Sequence, residues 1–168
     1  MSPASPTVTA PRPPADSPAT GTYGRVAAWL SKRVEIALAE VDLTLPQYRV
    51  LGILAEGTAA ASGLADRVSV RRPSITAIID GLVARGFVER VHDDSDRRRI
   101  DLHLTDEGIT VIEVANRKVD EHLESIATCL NDKDETMALR SLELWGQALQ
   151  SFHQARADEA TVTEAAPR

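Results

Sequence analysis

Eight arginines gather between positions 67 and 99: Arg67, Arg71, Arg72, Arg85, Arg90, Arg97, Arg98 and Arg99. A guanidinium forks onto phosphate oxygens or bridges O6 and N7 of guanine, so this density is chemistry suited to nucleic acid. Five acidic residues share the window (Asp80, Glu89, Asp93, Asp94 and Asp96), leaving it at +3 while the rest of the chain carries −9. The whole chain stands at −6, but binding answers to local potential rather than to the total. Taken alone, the same charge pattern suits a hydrated surface equally well.

Other chemistries find little to work with. His92, His103, His122 and His153 lack the spacing of a metal-binding helix, and Asp93, Asp94 and Asp96 form too short a run for a calcium loop. No phosphate loop, dinucleotide fingerprint or Gly-x-Ser-x-Gly elbow is present, so neither an enzyme nor a cofactor is expected. The single cysteine, Cys129, excludes an intrachain disulfide, fits a reducing compartment and reads as a small buried apolar residue. No apolar run reaches the roughly 18–20 residues that span a bilayer. The N-terminus has an early Arg12 without an apolar stretch behind it, so no secretory signal is read there. A soluble, cytoplasmic protein that does not engage membranes is the expectation.

The elements that must hold the arginines follow from periodicity. Aromatics are only 4% of the chain, so Leu, Ile, Val and Ala must build the core. Residues 1–21 contain six of the nine prolines and are expected to be disordered; 157–168 read as a frayed polar tail. Val26, Leu30, Val34, Ala37 and Val41 mark one face of a helix over about 23–42. Thr44 with Gln47 three residues on is a capping box, with Pro46 in the first turn, and opens a second helix ending near Gly57. A short helix over 61–68 and another over 72–85, begun at Pro73 and closed by Gly86, follow. Residues 87–91 and 100–104 read as strands joined by the polar loop 92–99. Thr105 caps a long helix carrying Ile109, Ile112, Ala115, Val119, Leu123, Ile126 and Leu130. A last helix over about 134–155 carries Leu142, Trp145, Leu149 and Phe152.

In this order the elements resemble the MarR family of winged helix-turn-helix regulators. Three stretches carry the resemblance: Gly63–Thr76, Ile79–Arg90 and Asp96–Gly108, the last with Asp96, Arg97, Leu104, Thr105 and Gly108 at the family's wing spacing. The resemblance covers roughly 23–155 and implies a mainly α fold with a small β-hairpin wing (α+β). A DNA-binding core over about 45–105 would then be flanked by dimerisation helices at about 23–42 and 106–155, within one domain over 22–156. Two departures stand out. Arg71 occupies a helix N-cap where the family often has Ser, and Gly81 stands where a basic residue is common.

The resemblance makes 72–85 the recognition helix. Arg72, Ser74, Thr76 and Ala77 would meet base edges in the major groove, and Arg71 a phosphate. Arg97, Arg98 and Arg99 at the wing tip would reach a minor groove, where narrow width concentrates negative potential. It further implies a homodimer on a pseudo-palindromic duplex operator, acting as a repressor released by a small aromatic or anionic effector. Trp29, Tyr48 and Arg49 are the candidate lining of the effector cleft, although ordinary packing explains them at least as well. The rival reading is a winged helix used for protein contact, such as an antirepressor, against which the basic recognition helix and wing count.

Overall fold

The computed structural model describes residues 21–57, 59–60, 64, 68, 72–92 and 100–164. Helices dominate, with a small antiparallel sheet, in the order α1 (Thr22–Ala39), α2 (Leu45–Ala55), β1 (Ala59–Ala60), α3 (Arg72–Ala84), β2 (Val88–His92), β3 (Ile100–Leu104), α4 (Asp106–Ala127) and α5 (Asp132–Glu164). The expectations placed on residues 1–20, Arg71, Arg97, Arg98, Arg99 and 165–168 lie outside the described residues. Of the short helix expected over 61–68, Leu64 and Val68 are described; both are helical and buried.

Local chemistry sets the element ends. The Thr44 hydroxyl accepts from the Gln47 amide, and the Gln47 side chain accepts from the Thr44 amide at 2.9 Å, so the capping box at the start of α2 is complete. Thr105 caps α4 in the same manner by accepting from the Gly108 amide at 3.0 Å. Helix α3 ends in a Schellman motif: the Phe87 amide donates to the Leu82 carbonyl and the Gly86 amide to the Val83 carbonyl. The left-handed turn this needs falls on Gly86, at φ 74°. The end of α1 has the same two bonds, from Leu43 to Leu38 and from Asp42 to Ala39. There the left-handed residue is Asp42, at φ 53°.

The buried faces follow the helical period. Ala37 and Leu38 from α1, Leu51 from α2, Leu82 from α3, Leu102 from β3 and Ala115 from α4 belong to one apolar cluster. β3 is the central strand, paired with β2 from Val88 opposite Leu104 to His92 opposite Ile100, and with β1 at Ala59 and Ala60. The third strand, β1, was not expected. Two alanines are too short a run for any alternation to register.

Three differences from expectation have physical reasons. The last helix continues through Glu164 rather than stopping near 155, so most of the supposed polar tail is helical. Polarity there misled, because Ala157, Glu159, Ala160 and Glu164 are strong helix formers. Cys129 is exposed, not buried, because it lies in the turn after α4 rather than on that helix's inner face. The expected stripe on α1 is only half covered. Ala37 is buried, but Val26 near the amino end is exposed, as are Tyr23 and Trp29.

Candidate nucleic-acid interface

Helix α3 buries Ile75, Ile79 and Leu82, at spacings of four and three, and this pins its inward face to the core. Ser74, Thr76 and Ala77 consequently stand on its outer surface, and Arg72 is its first residue. The four expected contact positions that fall on described residues therefore share the N-terminal half of one helix. Gly81 lies further along, half-buried, with the Gln47 side-chain Nε2 3.9 Å from where a Cβ would sit. That spacing is ordinary van der Waals contact, so glycine is not sterically required there.

Among the described residues, Arg90 and Arg85 of the basic window are engaged within the protein. Arg90 on β2 reaches back to the Asp80 carboxylate on α3 at 2.5 Å, tying the helix to the strand. Arg85, one residue past α3, donates to the Asp42 main-chain carbonyl at 2.6 Å and lies 3.3 Å from the Asp42 carboxylate. Its guanidinium also stacks 4.6 Å over the Phe87 ring. The sequence count treated all eight arginines alike; charge alone does not tell a ligand-facing arginine from one that braces the fold.

Behind α3 the wing motif is a joint. The Thr105 amide donates to the Phe87 carbonyl, and the Thr105 hydroxyl donates to the Gly86 carbonyl at 2.6 Å while accepting from Gly108. A Cβ on Gly108 would overlap the Phe87 carbonyl oxygen and press on a Leu104 methyl. Leu104, Thr105 and Gly108 thus lock the exit of α3 onto the entrance of α4. None of these partners is recoverable from spacing alone.

The candidate cleft residues are less unified. Trp29 on α1 is 68% exposed and Arg49 on α2 is exposed. Tyr48 is partly buried between α2 and α4, and its hydroxyl donates to Asn116 Oδ1 at 2.7 Å. Burial, and after it the Asp120 charge, pushes the Tyr48 phenol above its ordinary value. Elsewhere on α4, His122 meets the Glu40 carboxylate at 2.7 Å, with Lys118 3.7 Å from Glu40. The hydrogen bond from His122 holds the Glu40 carboxyl below its ordinary value.

A family model described as the MarR family matches residues 41–99, which run from the end of α1 to the wing. The HTH-type transcriptional regulator FarR of Neisseria gonorrhoeae is 34% identical over 106 residues, spanning 62% of this chain and 72% of FarR. The chain belongs to the MarR family. Membership makes it a DNA-binding transcription regulator of the winged-helix type rather than an enzyme. Solved MarR-type structures agree in fold. The transcriptional repressor CouR, bound to a 23-mer DNA duplex, matches with a TM-score of 0.61 and 29% identity over 73% of this chain and 87% of CouR. NadR in complex with 4-hydroxyphenylacetate matches with a TM-score of 0.58 and 28% identity over 80% of this chain and 96% of NadR. Among the described residues no helix is long and apolar enough to cross a membrane.

Proposed function

We propose that this MarR-family chain is a homodimeric repressor that reads a pseudo-palindromic duplex and releases it on binding a small aromatic carboxylate. The observation that carries the reading is the division of α3. Its isoleucines and Leu82 anchor it in the core while Ser74, Thr76 and Ala77 face outward beside Arg72 at the helix start. Small hydroxyl and methyl groups let a helix approach base edges closely, and an arginine supplies the bidentate contact to guanine. Arg97, Arg98 and Arg99 supply the minor-groove contact in this reading, and Arg71 a phosphate contact.

The two-fold rests on apolar surface that the monomer leaves bare. Leu142, Trp145, Leu149 and Phe152 mark one face of α5 and are all exposed, as are Tyr23, Val26 and Trp29 on α1. A contiguous apolar surface of this kind marks an interface, and a second copy covers it by symmetry. Such a dimer sets two recognition helices one turn of DNA apart. Effector binding is proposed for the space between the dimer helices and the winged helix, where Trp29, Tyr48 and Arg49 offer aromatic surface and a cation. It is supported by the hydroxyphenylacetate bound to NadR. Release then follows from different affinities of the effector for two dimer conformations. The protein's working place is the cytoplasm, with the genome.

The test is selection of duplexes from a random library by the full-length protein, followed by gel shift with its own upstream region. An enriched inverted repeat and a retarded band are expected, and titration with phenolic carboxylates should release the band. Failure to enrich any duplex would overturn the reading in favour of a protein-binding winged helix.

A further inference from the structure

Asp42 is the one non-glycine residue with positive φ among the described residues, in a position where helices ordinarily end on glycine. An L-residue there costs backbone energy and persists where its surroundings hold it. What holds it is visible. Both the carbonyl and the carboxylate of Asp42 face the guanidinium of Arg85, at 2.6 and 3.3 Å. The turn that ends α1 is thereby clasped to the turn that ends α3, across 43 residues of sequence. Arg85 is itself limited in movement, being partly buried with its guanidinium over the Phe87 ring. Phe87 in turn holds the joint to α4 through the Thr105 amide.

We propose that Arg85 is a positioning residue for DNA recognition, which sets the direction of α3 relative to α1 through its clasp on Asp42. The inference rests on the DNA-binding reading above and assigns Arg85 no contact with DNA. Base readout is geometric: bidentate bonds tolerate little rotation, whereas phosphate attraction tolerates much. Loosening the clasp therefore lowers discrimination between duplexes more than overall attraction to them. Asp42 belongs to the same device. Its almost fully exposed carboxylate adds a second, solvent-screened contact to the carbonyl that glycine would keep.

The experiment measures anisotropy binding of the full-length protein to its library-enriched duplex and to a scrambled duplex, for wild type, Arg85→Ala, Asp42→Gly and the double variant. Asp42→Gly keeps the turn conformation at no steric cost, so it should melt within about 3 °C of wild type. Its ratio of specific to scrambled affinity should nevertheless fall several-fold, and that of Arg85→Ala by about tenfold. The double variant should lose no more than Arg85→Ala alone, because both changes open one clasp. A purely structural bridge would shift melting without moving the ratio. Unchanged ratios in both single variants, with the wild type enriching a duplex, would overturn the positioning role alone. Additive losses in the double variant would overturn the clasp and give Asp42 and Arg85 separate roles. If the wild type enriches no duplex, the DNA reading fails and this inference fails with it.

Discussion

At Gly108 the backbone of α4 runs so close to the Phe87 carbonyl that any side chain collides with main chain rather than with a flexible neighbour. Such a clash is relieved only by moving the helix start, so Gly108→Ala should cost about 3 kcal/mol, the upper end of overpacking effects. Chemical denaturation read by circular dichroism checks this, and an unshifted midpoint would contradict it. Tyr48 presents a milder case. Removing its hydroxyl in Tyr48→Phe forfeits one hydrogen bond to Asn116, worth about 0.5–1.5 kcal/mol at neutral pH. The phenol's folded value lies above 10.0, so the folded state keeps a proton that the unfolded chain gives up. That contribution is complete below pH 10 and is lost as pH rises through the folded value. Wild type and Tyr48→Phe should therefore converge in stability on the alkaline side, as denaturation at stepped pH would record. The residues that match the family motif could be read from the sequence; their partners could not. Gly108 is legible as a motif position, but its reason is a carbonyl 21 residues earlier in the chain.

At the scale of elements, several ends set by neighbours along the chain were legible in advance. The Thr44–Gln47 box and the Thr105 cap follow from side chains acting within one turn, the Gly86 stop from glycine's tolerance of positive φ, and all three appear in the structure. Legibility ended where pairing was remote or propensity overrode polarity, as with β1 and the final turns of α5. The contact between α3 and β2 made by Asp80 and Arg90 belongs to the remote kind. Both side chains are substantially exposed, so the pair adds at most about 1 kcal/mol to stability. Its larger effect concerns charge. In the proposed complex, Arg90 would neutralise a carboxylate that α3 otherwise carries toward phosphate. Arg90→Ala should thus weaken binding to every duplex several-fold with little change in melting, and Asp80→Asn in the same chain should restore most of the loss. Anisotropy titrations of both variants test this, and a double variant no better than Arg90→Ala would show that Arg90 acts without Asp80.

For the molecule as a whole, net charge and exposed apolar surface point to one arrangement. A chain at −6 is expected to keep its acidic bulk away from a duplex, and in the proposed dimer, paired along α1 and α5, both basic windows would lie on one side. Trp145 is 68% exposed on α5, with Leu149 beside it at the next turn. Replacing both by aspartate introduces charges that a packed apolar interface cannot accept, and neither residue belongs to the monomer's core. Light scattering should then fall from about twice the 18.2 kDa chain mass toward a single copy, with helix content kept. The DNA consequence is quantitative. Each phosphate neutralised contributes about 0.9 to the slope of log affinity against log salt. A monomer engages one half-site, so its slope should be about half that of the dimer on the same duplex. Its affinity should also become indifferent to whether the second half-site is present. A doubly substituted chain that stays monomeric yet keeps the full slope and the preference for paired half-sites would show that a single copy supplies the whole footprint. Retention of the dimer would instead locate the two-fold away from this face of α5.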